Sequence, residues 1–589
     1  MSWGRPRLVW LLPSLILSCS SADPPPGSVA TGGTGNGGTS GSSGTGGSSG
    51  TGGGIDLDGG LPKKCPVCSD DLHSILNCDG SVKEICLGAN GCNPSTTKCE
   101  NACAAADAAK RSIGCEYYAV FMDTLKDNSC FAAFVANNWN TAAKVKVEWD
   151  GQEIPIDGFA YQPIGFGPSL TYAPLGAAGI PPGKVAILFL AGPDGTPAKD
   201  NPICPKPSAV PNGALLFNKS GKGKAFRITT DVPVVAYQIN PYGGGNAAFT
   251  GASLLIPASA WDKEYLALNA YSTGPQAASL NIVAKEQTNL TILPKKNIVG
   301  GNGLPPGSAN SDYNVTLEAG EHLQLTQLDV LTGSQVKADK PVGFFAGARC
   351  SWVPNQIDFC DHLEQMIPPV KALGHEYAGV SHEPRNAEPA LWRLMGVVDD
   401  THLTWSSDVG GPPVLQAGQV VEFTTLYPFV VHSQDKNHPF LLIDYMTGGS
   451  TNNLNGVGDP EAVLSVPPEQ FLKSYLFFTD PTYPRTNLVV VRAKEEGTFR
   501  DVFLDCAGNL GGWKPLAGYE YTRVDLTKGD FQSVGGCSTG AHEMHSEGKF
   551  GLWIWGWGGP FTSSFTDYVS YGYPGGMNVQ PINEVELPK

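Results

Sequence analysis

Three landmarks recur along this chain in one order and at nearly one spacing, and a chain that repeats in this way folds as a string of like units. The first landmark is a polar lead, a proline or its replacement, and an apolar run. It occurs as Thr230-Asp231-Val232-Pro233-Val234, Ala338-Asp339-Lys340-Pro341-Val342, Lys436-Asn437-His438-Pro439-Phe440 and Glu547-Gly548-Lys549-Phe550. From Pro233 through Pro341 and Pro439 to Lys549 the steps are 108, 98 and 110 residues. The second landmark is Ile256-Pro257 leading to Tyr265, Ile367-Pro368 to Tyr377 and Val466-Pro467 to Tyr475, with proline-to-tyrosine offsets of 8, 9 and 8. The third is Ala319-Gly320, Ala417-Gly418 and Ala517-Gly518, each opening an alternating run such as Glu321-His322-Leu323-Gln324-Leu325 or Gln419-Val420-Val421-Glu422-Phe423.

Within the units the apolar residues keep strand period. Lys144 to Trp149 places Val145, Val147 and Trp149 on one face and charged residues on the other, as a half-buried antiparallel strand requires. The short runs Pro233 to Ile239, Ser279 to Lys285, Leu488 to Arg492 and Val502 to Leu504 are separated by Gly, Pro, Asn and Asp. With 73 glycines and 47 prolines among 589 residues, a mainly helical chain is excluded. The expected fold is all-β: tandem antiparallel β-sandwich-like repeats of about 100 residues behind a small disulfide-rich module. A β-propeller with two blades per unit is the alternative. The recurring proline is expected at a strand start or sheet edge, where its missing N–H costs no ladder bond.

The N-terminus carries an address. Arg5 and Arg7 precede an apolar run from Leu8 to Leu17, shorter than the about 20 residues a spanning helix needs. Ile16-Leu17-Ser18-Cys19 then resembles a bacterial lipobox, which predicts a signal peptide over residues 1–18 and lipidation of Cys19. Ser20, in place of an aspartate, favours the outer membrane, so a cell-envelope, surface-exposed lipoprotein is expected. Residues 19–64 hold the Gly/Ser/Thr-rich stretch from Ser28 to Gly54, a tether with a root-mean-square span of roughly 35–40 Å. The match to Gly-x-Ser-x-Gly at Gly46 to Gly50 falls inside that stretch, without the strand and helix a hydrolase elbow needs.

Cysteine usage agrees with export. Of 15 cysteines, 14 remain once Cys19 is set aside, enough for seven disulfides. Cys65, Cys68, Cys78, Cys86, Cys92, Cys99, Cys103 and Cys115 crowd into residues 65–115, as in small exported modules short of core. Zinc or redox use of Cys65-Pro-Val-Cys68 lacks the second close pair or the thioredoxin-like context. The others suggest local pairs, Cys350 with Cys360, Cys506 with Cys537 and Cys130 with Cys204, although the sequence leaves the connectivity open.

Gly114-Cys115-Glu116-Tyr117-Tyr118-Ala119-Val120, the repeated Pro-Val strands and the closing Ser570-Tyr571-Gly572-Tyr573-Pro574-Gly575-Gly576 resemble the N-terminal domain of the IgGFc-binding protein family. The resemblance covers about residues 114–576 and implies an extracellular, non-catalytic role in binding or adhesion. The von Willebrand D modules of the large animal members are not found in this sequence, and no ligand-contact residue carries over. The predicted organisation is completed by a repeated β region over 116–576 and a C-terminal tail over 577–589.

Candidate chemistry is sparse. Acidic residues outnumber basic ones 55 to 39 for a net charge of −16, and the absence of a Lys/Arg cluster argues against nucleic acid. His542-Glu543-Met544-His545 has its histidines three apart, where a zincin helix needs four, so a strand position explains it better than a metal; no cofactor or metal is expected. His375-Glu376 and His382-Glu383 read as solvated polar pairs. Trp553, Trp555 and Trp557 alternate along one face, as a sugar-stacking platform would, yet Phe550, Leu552 and Ile554 make the other face apolar too, which favours core packing. The expected function is a lipid-anchored binding or adhesion protein for an extracellular protein or glycan. A secreted polymer hydrolase and a structural envelope component are the alternatives.

Overall fold

A computed structural model describes residues 65–587 apart from 200, 269 and 272–275. The predicted signal peptide, Cys19 and the tether lie outside the described residues, as do the last two residues of the chain. Among the described residues no helix is long and apolar enough to cross a membrane.

Four units follow one another, each built around a long strand that bends in its middle. In the first unit the leading half of Phe226–Asn240 pairs with Ile113–Ala119 and Val145–Trp149, while its trailing half pairs with Phe131–Ala136 and Gly251–Leu254. Gln335–Ser351 makes the same four pairings in the second unit, with Asp262–Leu266, Thr288–Leu293, Ala278–Ala284 and Asp361–Met366. Gly540–Trp557 repeats them in the fourth, with Leu472–Thr479, Val502–Leu504, Arg485–Arg492 and Ser570–Pro574. In the third unit the strand is interrupted, and its halves Phe429–Ser433 and Phe440–Met446 belong to two separate four-stranded sheets. Tyr377, Leu403 and Phe429 of one sheet meet Trp392, Phe423 and Leu442 of the other in a shared core, the arrangement of a sandwich.

The recurring proline sits at this bend. Pro233 and Pro341 lie inside their strands rather than at a start, whereas Pro439 does stand just before the strand Phe440–Met446: the ladder of the first long strand slips between Thr229 and Val234, around Pro233, and corresponding slips occur opposite Asp262 and Leu472 in the second and fourth units. A proline without a donor fits where the strand bends and the ladder is already broken. The recurring tyrosine belongs to the same device. The hydroxyls of Tyr117, Tyr265 and Tyr377 donate to the carbonyls of Val234, Val342 and Phe440 at 2.6, 2.7 and 2.7 Å, one residue past each corner proline, and Tyr475 does so to Phe550 after Lys549. In the last three units the same hydroxyl accepts the backbone N–H three residues upstream, from Asp262, Gly374 and Leu472. A buried tyrosine hydroxyl needs such partners, which explains why the two landmarks keep one register.

The turn that precedes each recurring tyrosine also corrects one landmark. Pro369, rather than Pro368, precedes the short 3-10 turn Val370–Ala372, as Pro257 precedes Ala258–Ala260 and Pro467 precedes Pro468–Gln470. With Pro369 the step to the tyrosine is eight residues in all three cases. The recurring Gly320, Gly418 and Gly518 have φ of +73°, +71° and +98°, the turn conformation that side chains with a Cβ rarely adopt.

The closing strands Gly251–Leu254, Asp361–Met366, Glu461–Leu464 and Ser570–Pro574 lie against one another in cyclic order, the last against the first, so the four units form a ring. The Gln365 amide donates to the carbonyls of Ala252 and Gly572, at 2.8 and 3.3 Å, and accepts from Leu464 N–H, touching the other three units. The C-terminal segment shuts the ring. Ser112 N–H donates to the Met577 carbonyl at 2.8 Å, Met577 N–H to Ser112 Oγ at 3.0 Å and Val579 N–H to the Lys110 carbonyl at 2.8 Å. The chain then follows the second unit, where the Asn583 amide donates to Val370 and Leu373 carbonyls and Leu587 N–H to the Glu264 carboxylate. Residues 577–587 are therefore a strap, with Met577, Val579, Asn583 and Leu587 all buried.

The disulfide-rich module precedes the ring. Disulfides join Cys65 to Cys78, Cys68 to Cys92, Cys86 to Cys99 and Cys103 to Cys115. Its helix Ala102–Ala109, capped by Asn101 accepting from Ala104 N–H at 3.1 Å, buries its alanine face. Cys115 lies within Ile113–Ala119, so the last disulfide fastens this helix to the first strand of the ring.

Candidate functional site

The residues singled out in the sequence do not converge on one site. Among the described residues the remaining cysteines are paired as Cys130–Cys204, Cys350–Cys360 and Cys506–Cys537. Trp553, Trp555 and Trp557 are 5%, 1% and 1% exposed, and Phe550, Leu552 and Ile554 on the opposite face are also buried. The indole face is closed by the third unit: Trp553 Nε1 donates to the Leu464 carbonyl at 3.0 Å, and the His382 ring lies 5.0 Å from Trp555 and 5.7 Å from Trp557. These three rings offer no open platform to a sugar, because they form the joint between the third and fourth units.

His382 is accordingly not a solvated residue. Burial between the indoles, more than any neighbouring charge, holds its imidazole down at about 4, so it is neutral near pH 7. His375 remains half-buried, 3.6 Å from Glu469. His542 and His545 lie on one strand three residues apart and so face opposite ways: His542 is buried against Asp505 at 3.0 Å, whereas His545 is exposed and stacks on Phe503. Asp505, Cys506 and His542 do approach one another, but Cys506 is committed to its disulfide with Cys537 and supplies no thiolate.

A more open arrangement lies between the first and fourth units, where a cleft of about 250 Å³ is lined by Tyr172, Phe531, Phe565, Asn246, Thr482 and Thr566 with prolines around them. Tyr172 comes from the edge strand Thr171–Pro174 of the first unit, and its hydroxyl meets that of Tyr242 at 2.8 Å. Burial raises both phenols, which stay un-ionised. Phe565 belongs to the loop between Gly540–Trp557 and Ser570–Pro574, with Lys199 Nζ 4.2 Å above its ring. Gly245 brings the two loops together: a Cβ there would stand 1.8 Å from the Phe565 carbonyl oxygen. None of the residues lining this cleft is charged. Half-buried aromatic rings beside hydroxyl and amide groups suit a neutral ligand with both apolar faces and hydrogen-bonding edges, such as a glycan or an extended peptide. The sequence hides this cleft, since Tyr172 and Phe565 lie 393 residues apart, one on an edge strand and the other in a loop.

Several carboxyls lie deep in the ring and were not singled out by the sequence. Asp361 and Asp459 each stand eight residues before a junction proline, Pro369 and Pro467, an equivalence visible only in the corrected register. Asp444 and Asp480 are pushed up by burial, to about 7 and about 6, the latter against the Thr482 N–H and hydroxyl, which donate to Asp480 Oδ1 at 2.8 and 2.7 Å. Unfolded aspartate titrates near about 3.9, so the folded protein holds these protons more tightly. Their contribution is fully present below pH about 4 and is lost as pH rises through about 6–7, on the order of 3–4 kcal/mol for Asp444. Urea midpoints measured from pH 4 to 8 are expected to fall through that window in the wild type and to fall less in Asp444→Asn. Equal slopes would refute the assignment.

Comparison with known proteins places residues 251–556 in a match to the family described as IgGFc binding protein, 306 of the 589 residues and so just over half of the chain. No curated protein and no solved structure matches.

Proposed function

Because the chain belongs to the IgGFc-binding protein family, we propose that it is an extracellular binding protein, anchored by a lipid on Cys19, that holds a protein or glycan in the cleft between its first and fourth units. The family match supports a binding role, and the disulfides support an exported protein. The observation that carries the choice of site is the uncharged cleft around Tyr172 and Phe565. Its walls come from different units held in one ring, so the aromatic rings are fixed before a ligand arrives and little entropy is lost on binding.

The test is retention of extracellular proteins and glycans by the full chain, with Phe565→Ala and Tyr172→Ala as variants. Both side chains are half-buried, Tyr172 on an edge strand and Phe565 in a loop, so each variant is expected to fold and to bind about tenfold or more weakly. A ligand retained equally by both variants would move the site elsewhere, and release of shortened polymer would identify a hydrolase instead. For the anchor, palmitate labelling of the cells is expected to mark the wild type and not Cys19→Ala.

A further inference from the structure

Two cations stand on the rings of the loop that closes one side of the cleft. That loop, residues 558–568, joins Gly540–Trp557 to Ser570–Pro574 and is knit together from within: Gly558 N–H donates to the Val569 carbonyl at 3.0 Å, and the Thr562 and Thr566 hydroxyls meet at 2.7 Å. Phe561 and Phe565 lie on it, Phe561 38% exposed and Phe565 lining the cleft. Lys199 Nζ lies 4.2 Å from the centre of the Phe565 ring. The guanidinium carbon of Arg485, which opens the strand Arg485–Arg492, lies 5.3 Å from that of Phe561 and 5.7 Å from that of the buried Trp557.

Neither cation has an acid. Every other arginine among the described residues is paired with a carboxylate. Arg485 is in no such pair, and its Nε is buried without a hydrogen-bond partner. The acids of the neighbouring chain are otherwise placed: Asp530 accepts Ser563 N–H at 3.2 Å, and Asp567 packs against Gly456 of the third unit. Stacking on a ring engages the face of a guanidinium and leaves its N–H edge free for a carboxylate, which it takes through two parallel bonds. The cleft beside the loop offers only neutral groups, among them Asn246, Thr482, Ser564 and Thr566. Hydroxyls and amides both donate and accept hydrogen bonds, as the hydroxyl and acetamido groups of sugars do. Charge is therefore absent inside the cleft and positive at its rim, in a chain whose net charge of −16 repels a polyanion elsewhere.

We propose that the cleft takes a glycan in which neutral and acidic sugars alternate, a neutral sugar lying against Tyr172 and Phe565 and the carboxylate of its neighbour on Arg485 and Lys199. The inference rests on the cleft reading above and adds the class of ligand to it.

The experiment measures binding of the immobilised full chain to hyaluronan and unsulfated chondroitin, in which uronate and neutral amino sugar alternate. Their carboxyl-reduced forms, dextran and polyglutamate are measured beside them, at low and high salt. The uronate polymers are expected to bind roughly tenfold or more tightly than their reduced forms, and to weaken as salt rises. Arg485→Gln and Lys199→Ala are expected to remove most of that difference, about tenfold for Arg485→Gln, and to leave the reduced forms bound as in wild type. Phe565→Ala is expected to weaken both forms, because it acts on the cleft and not on the charge. Reduced forms bound as tightly as the uronates, and weakened by Phe565→Ala, would leave the cleft standing and overturn the acidic ligand. Uronate binding unchanged in both charge variants overturns it too, as does binding of none of these polymers or preference for polyglutamate. Lys199 is exposed, so Lys199→Ala still decides if Arg485→Gln fails to fold.

Discussion

A chain ending at Pro574 is expected to lose the ring fold, not merely its last fifteen residues. The deleted segment carries Met577, Val579 and Leu587, each under 5% exposed, and the backbone bonds that join Ser112 to Met577 and Lys110 to Val579. Burying three such side chains contributes roughly 5–8 kcal/mol, comparable with the whole margin of about 5–15 kcal/mol that holds a typical domain. The loss also unlocks the contact between the first and fourth units, whose closing strands meet at the centre of the ring. Thermal melting and limited proteolysis of the truncated chain are expected to show a Tm lower by more than 10 °C or no cooperative transition, with early cleavage near the junction of the first unit. A truncated chain that melts with the wild type would mean that the strap only decorates a ring closed by other contacts.

Trp555→Ala is expected to be the most damaging single substitution among the alternating tryptophans. The indole is 1% exposed, it lies against Gly572 on the neighbouring strand, and the His382 ring of the third unit stands 5.0 Å away. Removing it leaves a cavity between two units that rigid strands cannot close, at a cost of about 3–5 kcal/mol. Trp555→Phe, which fills much of the space, is expected to cost less than half as much. Denaturant midpoints measure both. Ligand retention by the folded fraction of Trp555→Ala is expected to match the wild type, because the ring is a joint and not a contact surface. A variant as stable as wild type that lost only binding would restore the stacking platform.

Much of the fold was legible in the residues. Alternation in Val145–Trp149 gave a strand with Val145 and Val147 inside and Lys146 outside, and that is its burial in the structure. The proline, tyrosine and glycine landmarks announced repeated β units because each meets a local need: a corner without a donor, a hydroxyl that serves the corner carbonyl, and a turn of positive φ. The places where the reading slipped are also physical. Pro368 and Pro369 are adjacent, and only the folded turn Val370–Ala372 shows which one leads it. His382-Glu383 looked solvated because a polar dipeptide carries no mark of the indoles that another unit will lay against it.

The sequence by itself therefore determined the unit, its length and its strands, since these rest on side-chain period and on turn residues within about 100 positions. The tertiary structure alone decided that the four units close on themselves. It also decided that the last residues strap the first unit and that Tyr172 and Phe565 share a cleft. Each of these is a meeting of segments from different units. No local propensity encodes such a meeting, because it follows from how twisted sheets buried on both faces pack around a common centre.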